Sequence, residues 1–202
     1  MEDALRHLQK SDPVLAELIG RYPKPRFEQH TNYYQELVDS IISQQLSVKA
    51  ARAIETRFKD LFDGKFPTPE QILARDIEAF RAVGLSRPKA RYIQDLAQKI
   101  IDGEVVFDTL DSLSNDEIIA ELTKVKGIGV WTVHMFLMFC MGRLDVLPTG
   151  DLGIRNGVAK LYKLDHVPTE RDVEICAEKN NWQPYESVAS WYMWQSLDNT
   201  PK

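Results

Sequence analysis

The residues of this chain that could do chemistry begin at a glycine-containing break between two apolar segments. The stretch LTKVKGIGVWTVHM, residues 122–135, places Gly127 and Gly129 one residue apart, after Lys124 and Lys126. Glycine permits left-handed backbone angles and lets a partner approach the main chain closely. The first N–H groups of the helix that follows have no acceptors within the helix, and the helix dipole adds positive charge there. The sequence therefore predicts an anion site at this turn, and a DNA phosphate is its natural ligand.

The same glycines also fit a plain corner between two helices, because glycine commonly ends a helix. The overall charge limits how the protein could bind DNA. The formal net charge is −5 and the isoelectric point is near 5.4. An acidic protein does not adhere broadly to nucleic acid. Local clusters of Lys and Arg occur, although a solvated helix face is the commoner reason for them. Any contact with DNA is expected to be local.

Helical periodicity runs through almost the whole chain. Apolar residues recur as in Leu37, Ile41 and Ile42, while strand-like alternation is nearly absent. Polar residues that favour helix starts precede several of these segments: Ser47, Thr68, Ser114 and Thr169. The segment 103–114 reads as an extended connection. We predict an all-α protein of about ten short helices, and its 202 residues suit one large domain or two small lobes.

Several classes of protein are excluded by composition. The chain has no stretch near the roughly 20 apolar residues of a membrane span, and its charged start lacks the apolar core of a signal peptide. We therefore expect no membrane partner and a place in the cytoplasm, or wherever the genome is. The two cysteines, Cys140 and Cys176, are too few for a zinc or iron–sulfur site, so no cofactor is expected to be required.

Four ordered motifs carry a resemblance to a known family. They read IISQQLSVKAA, GIGVWTVHMFLMFCMGRLDVLP, DLGIRNG and WQPYESVASWYMW, and they lie between about Tyr33 and Leu197. This chain resembles the 3-methyladenine DNA glycosylases of the helix-hairpin-helix superfamily. The resemblance implies one domain over residues 1–202, with the hairpin at about 122–135. It also implies two lobes with the active site in the cleft between them.

The resemblance makes Asp151 the catalytic carboxylate. Breaking the bond between base and sugar builds positive charge on the sugar, which a fixed anion stabilises. An alkylated purine such as 3-methyladenine is already cationic, so it leaves without a strong general acid. The alternative for Asp151 is an N-cap of the following helix, and both roles are compatible. The family often has a second acid where this chain has Gly150, which suggests altered positioning of the carboxylate.

The absence of a lysine at one hairpin position indicates the reaction type. Superfamily members that also cut the strand carry an amine nucleophile where this chain has Trp131. No Schiff base with the sugar forms without that amine. The resemblance therefore implies a monofunctional enzyme that leaves an abasic site. An oxidised-base glycosylase with lyase activity is disfavoured for the same reason, and because the cysteine cluster is missing.

The resemblance also assigns residues to the flipped base and to DNA. The base pocket comprises Trp131, Trp194, His134 and Met135. The DNA contacts comprise Gln44, Gln45, Ser47, Lys124, Lys126, Gly127, Gly129 and Val130. Gln45 fills the gap left by the flipped nucleotide. Each tryptophan also fits a core position, His134 fits an ordinary helix position, and SQQLS fits a polar helix junction capped by Ser47.

Hairpins of this type often hold an alkali-metal ion, and the matching carbonyls are those of Thr123, Val125 and Ile128. A structural Na⁺ or K⁺ is thus expected there. The implied partner is double-stranded DNA that contains alkylated bases, bound by a monomer in the cytoplasm, at the nucleoid or in the nucleus. The rival hypothesis is a non-catalytic helix-hairpin-helix protein that binds damaged or bent DNA. Gly150 favours it, as does Glu186, where the family often has a basic residue.

Overall fold

The fold is entirely helical. The computed structural model describes residues 1–197, and this range contains twelve α-helices, one 3₁₀ helix and no strand. The all-α prediction is confirmed. The count exceeds the expected ten because helices such as α6 (Ile77–Ala82) are too short to show apolar periodicity. Within the same range, no helix is long and apolar enough to cross a membrane.

The twelve α-helices of the described residues are numbered in chain order. They are α1 (Glu2–Ser11), α2 (Pro13–Arg21), α3 (Tyr33–Ser43), α4 (Val48–Asp60), α5 (Pro69–Leu73), α6 (Ile77–Ala82), α7 (Arg87–Ile101), α8 (Asn115–Leu122), α9 (Val130–Phe139), α10 (Leu152–Leu161), α11 (Glu170–Lys179) and α12 (Glu186–Ser196).

The predicted helix starts are confirmed by side-chain caps. Ser47, Thr68, Ser114 and Thr169 each accept a hydrogen bond from the backbone N–H three residues later. At Thr68, Ser114 and Thr169, the side chain of the residue three positions later also accepts a hydrogen bond from the backbone N–H of the capping residue. This completes a capping box. Each such cap satisfies donors that a helix leaves open, and it stabilises the helix by about 1 kcal/mol.

The prediction of an extended segment at 103–114 is wrong in part. A 3₁₀ helix occupies Phe107–Ser112 within it. Leu110 of this helix is fully buried, and Thr109 Oγ1 donates to the carbonyl of Val106 at 3.2 Å. Burial of one apolar side chain together with local side-chain bonds supports a short turn of this kind. Periodicity over so few residues does not reveal it.

The chain forms two compact units, in agreement with the two expected lobes. The central unit comprises His30–Phe136, and the terminal unit comprises Met1–Gln29 with the described residues 137–197. The assignment of all 202 residues to one domain stays a prediction. In the central unit, α7 packs against α3, α5 and α6. Phe58 and Phe80 stack in its core with ring centroids 5.9 Å apart.

In the terminal unit, α12 packs against α1, α2 and α10. Its side chains are buried on nearly every side, and the buried ones include three serines as well as apolar and aromatic residues. The approach to α10 is close at Gly157, where an added Cβ would lie 2.9 Å from Cβ of Met193. A side chain at position 157 would therefore separate the two helices.

A buried aspartate ties the first helices to the rest of the terminal unit. Asp12 is fully buried and caps α2, since its Oδ1 accepts from the N–H groups of Val14 and Leu15. Its Oδ2 accepts from the indole N–H of Trp182 at 2.8 Å and from the hydroxyl of Tyr162. Four donors thus offset the cost of removing this carboxylate from water.

Candidate active site and DNA interface

The hairpin between α8 and α9 depends on Gly127. Its φ is +84°, in the left-handed region, and a Cβ at this position would lie 2.1 Å from the ring of Tyr92. No side chain fits both the angle and the space. Gly129, by contrast, does not have a positive φ. The two glycines therefore serve different purposes.

Gly129 leaves space on the outside of the hairpin. Among the described residues, no atom would lie within 4 Å of a Cβ built at Gly129. The side chain of Val130, the first residue of α9, is half exposed. Open space beside the first N–H groups of a helix is what an approaching anion needs. The hairpin is consistent with the predicted phosphate site.

The hairpin lysines are exposed, and one of them is paired. Lys126 places Nζ 3.2 Å from Oδ1 of Asp95, and its backbone N–H donates to Oδ2 of the same carboxylate at 2.9 Å. The lysine side chain is 76% exposed, so the ion pair itself contributes little stability. The backbone bond fixes the hairpin to α7. Lys124 is also exposed.

The loop between α3 and α4 contains the predicted intruding residue. Gln45 is exposed and adopts φ +57°, an uncommon angle for a residue with a side chain. Its neighbour Gln44 donates from Nε2 to the carbonyl of Gly127 at 2.9 Å. Ser47 caps α4 by accepting from the N–H of Ala50 at 3.3 Å. The structure thus brings this loop and the hairpin together within the central unit.

Asp151 lies at the start of α10 in the terminal unit. Its Oδ1 accepts from the backbone N–H of Ile154 at 2.9 Å, so the N-cap interpretation is confirmed. The same oxygen accepts from the indole N–H of Trp194 at 2.9 Å. Two donors on one oxygen fix the orientation of the carboxylate.

Gly153 makes this arrangement possible, and the sequence interpretation missed it. A Cβ at Gly153 would lie 2.9 Å from Oδ1 of Asp151 and 2.9 Å from Cδ1 of Trp194. With Gly157 it forms a pair of glycines four residues apart on one face of α10. That spacing inside a helix, where glycine is unfavourable, was the available signal of a close helix contact.

Trp194 is a buried residue. It is 1% exposed, and its ring lies 6.1 Å from the ring of Phe139, centroid to centroid. The structure places it beside Asp151, as a donor to the carboxylate. The predicted contact between Trp194 and a flipped base stays a prediction.

The other predicted pocket residues lie on α9. Trp131 is 50% exposed, while His134 and Met135 are half buried. Their spacing of three and four residues places all three on one face of the helix. An exposed tryptophan on a helix face offers an aromatic surface to a partner. The three residues therefore share one face of α9, and their role in a base pocket stays a prediction.

Gly150 and Glu186, the two departures from the family pattern, both lie close to acidic side chains. A Cβ at Gly150 would lie 3.7 Å from Oε1 of Glu170, so an acidic side chain there would face a like charge. Glu186 lines an acidic cavity of about 420 Å³ together with Glu174 and Glu178. Burial raises the pKa of Glu186, and its Oε2 has no hydrogen-bond partner among the described residues. This face does not attract phosphate.

The expected ion ligands are three main-chain carbonyls of the hairpin. Oxygen donors of this kind suit an alkali-metal ion. The carbonyl of Val125 already accepts from the N–H of Ile128 at 3.1 Å, which leaves its second lone pair for an ion. Val125 and Ile128 are buried, so their backbone positions are well defined by packing. The ion itself stays a prediction.

Several known proteins resemble this chain along most of its length. It is 42% identical over 188 residues to DNA-3-methyladenine glycosylase 1 of Schizosaccharomyces pombe, a match that covers 90% of this chain and 80% of that protein. A solved structure of the 3-methyladenine DNA glycosylase of the same yeast, in complex with abasic DNA, gives a TM-score of 0.81. It shares 37% identity and covers 99% of this chain and 100% of that one.

A crystal structure of DNA-3-methyladenine glycosidase from Bacillus halodurans gives a TM-score of 0.84 at 36% identity. That match covers 96% of this chain and 88% of the other. The family model for the HhH-GPD superfamily of base excision DNA repair proteins matches residues 38–182. Because this match spans well over half of its residues, the chain belongs to the HhH-GPD superfamily of base excision DNA repair proteins.

Proposed function

We propose that this protein is a monofunctional DNA glycosylase that hydrolyses the N-glycosidic bond of alkylated purines, of the 3-methyladenine and 7-methylguanine type, in duplex DNA. The observation that carries the proposal is the carboxylate of Asp151. It caps α10 and accepts from both Ile154 and Trp194 through one oxygen. The names of the similar proteins support the same substrate class.

In this proposal Asp151 acts on charge that develops in the transition state. As the bond to the base breaks, positive charge grows on the sugar, and a carboxylate held in place stabilises it without reorganisation. The indole N–H and the helix N–H keep that carboxylate oriented. A cationic alkylated base leaves readily, so a single acidic residue is enough. Neutral lesions should be released more slowly.

Base recognition falls to the exposed face of α9. Trp131 offers an aromatic surface on which a flipped base can stack, and His134 and Met135 lie on the same face. A cationic base gains about 0.5 to 2 kcal/mol from such a ring. Trp194 contributes through its hydrogen bond to Asp151 and, in the complex with DNA, through contact of its ring with the base.

DNA binding falls to the hairpin and to the α3–α4 loop. The N-terminus of α9, with the open space at Gly129, receives a phosphate, and Lys124 and Lys126 lie nearby. A Na⁺ or K⁺ held by the carbonyls of Thr123, Val125 and Ile128 would add positive charge there. Gln45 fills the gap in the stack, and Gln44 and Ser47 lie beside the minor groove. The protein acts as a monomer, in the cytoplasm or nucleus where its DNA substrate is.

The direct test of the function is release of methylated bases from alkylated duplex DNA by the native protein and by Asp151→Asn. We expect the variant to lose most of the release rate and to keep its affinity for abasic DNA. Asp76→Asn, which alters another N-cap aspartate on α6, is the matched control and should keep the native rate. Near-native release by Asp151→Asn would remove this residue from its role. Damage-selective binding without any release by the native protein would favour the non-catalytic alternative.

The hairpin glycines should respond differently to one added methyl group. Gly127→Ala forces a left-handed alanine against Tyr92, so we expect a lower melting temperature in thermal unfolding. Gly129→Ala places its methyl group in space that the described residues leave open, so we expect native stability and weaker binding to duplex DNA. Native affinity of Gly129→Ala, measured by fluorescence anisotropy, would show that no phosphate approaches this position.

The monofunctional assignment is tested by borohydride trapping on abasic DNA and on alkylated DNA. A lyase forms a Schiff base between an amine and the sugar, and the hairpin has Trp131 at the position of that amine. We expect no covalent complex, and we expect alkali to cleave the product at abasic sites. Efficient trapping that disappears in Lys124→Ala or Lys126→Ala would identify a lyase and overturn the assignment.

A further inference from the structure

One face of α7 contacts both of the segments to which DNA binding has been assigned. Lys89, Tyr92 and Asp95 are spaced three residues apart, which places them along one side of the helix. The helix itself is held in the core of the central unit by α3, α5 and α6. The face therefore belongs to a rigid element, although none of its three residues was assigned a function from the sequence.

Lys89 holds the α3–α4 loop. Its ammonium group donates to the carbonyl of Ile42 at 2.8 Å and to the carbonyl of Gln44 at 2.6 Å. These groups belong to the end of α3 and to the residue that follows it, where carbonyls lose their partners within the helix. A cation at the C-terminal end of a helix also complements its dipole. Lys89 thus caps the C-terminal end of α3 and fixes the first backbone groups of the α3–α4 loop.

Gln45 follows Gln44, the second residue that Lys89 holds, and adopts a left-handed conformation. A residue with a side chain adopts this conformation at an energetic cost, and it persists only where surrounding contacts impose it. The bonds from Lys89 supply such contacts on the preceding peptide groups. Gln44 adds another through its bond to the carbonyl of Gly127. The outward position of Gln45 follows from these constraints.

The other two residues of the face hold the hairpin. The ring of Tyr92 packs where a Cβ of Gly127 would be, and Asp95 accepts the backbone N–H of Lys126 at 2.9 Å. The hairpin and the loop are therefore fixed to the same side of one helix. Gln44 joins them directly.

We propose that Lys89 is a positioning residue for damaged DNA: it holds the α3–α4 loop, and with it Gln45, in the binding conformation before DNA arrives. Tyr92 and Asp95 hold the hairpin in register with that loop. The proposal rests on the proposed function for its ligand, a duplex with a missing or flipped base. Lys89 acts through the loop and does not contact a phosphate.

The test compares Lys89→Met with the native protein and with two further variants. Lys89→Arg keeps a cation with several donors. Lys99→Met is the matched control, because Lys99 lies on the same helix, is only 19% exposed and pairs with Glu104 at 2.7 Å. Amide hydrogen exchange is measured on the free proteins. Affinities are measured for a duplex with a tetrahydrofuran abasic analogue and for the intact duplex, over a range of salt concentrations.

We expect Lys89→Met to speed exchange in residues 43–48 and to lower the preference for the abasic duplex about tenfold, the effect of losing hydrogen bonds from a charged donor. The dependence of affinity on salt should keep its native slope. Lys89→Arg should restore most of the preference, and Lys99→Met should match the native protein in both measurements. If Lys89→Met does not fold, Lys89→Leu, which also lacks a donor, replaces it with the same expectations.

Native exchange in residues 43–48, or an unchanged preference, overturns the proposal. Equal weakening on both duplexes with a salt slope reduced by about one would identify Lys89 as a phosphate contact instead. These results are separable from the function itself. If the native protein neither releases bases nor prefers the abasic duplex, the proposed function fails, while the exchange measurement still shows whether Lys89 holds the loop.

Discussion

The carboxylate of Asp151 is held by two hydrogen bonds to a single oxygen, and much of the terminal unit is arranged so that these bonds form. The bond from the helix N–H of Ile154 requires that α10 begin directly after Asp151, and the bond from the indole of Trp194 requires that α12 lie close to α10. That closeness depends on Gly153 and Gly157, since a Cβ at either position would collide with α12. Orientation of one charged group thus constrains the packing of two helices. Such a fixed charge suits a reaction whose transition state is a cation.

The central unit solves a different problem, which is how an acidic protein holds a polyanion. Its hairpin offers backbone N–H groups and open space at Gly129, and neither depends on net charge. Lys126 shows the same reliance on the main chain. Its backbone bond to Asp95 fixes the hairpin more than its exposed ion pair does. Main-chain donors are held by geometry, so a rigid scaffold matters more than a basic surface. The side of α7 that contacts both the loop and the hairpin is that scaffold.

The sequence predicted the features that local chemistry decides. Ser114 and Asp151 cap helices as expected, because an N-cap depends on a residue and its next three neighbours. It did not predict the bond from Trp194 to Asp151, since that bond joins residues 43 positions apart through packing. Lys89 was visible only as one basic residue among several, and its partners are main-chain carbonyls that carry no sequence signal. The glycines indicated that a partner can approach the main chain here, but only the structure shows that Gly129, and not Gly127, has open space beside it among the described residues.

The bond from Trp194 to Asp151 orients the carboxylate on which base release depends. Trp194→Phe removes the donor of this bond while keeping an aromatic ring. Trp182→Phe is a close control, because Trp182 is equally buried and donates to Asp12, another capping aspartate of the same unit. The measurement is the single-turnover rate of base release from methylated duplex, alongside affinity for abasic DNA and thermal unfolding. We predict that both variants lose stability and keep their affinity, and that only Trp194→Phe releases bases more slowly, by about tenfold for a hydrogen bond to a charged group. A native rate in Trp194→Phe, or an equal slowing in both variants, would contradict the account.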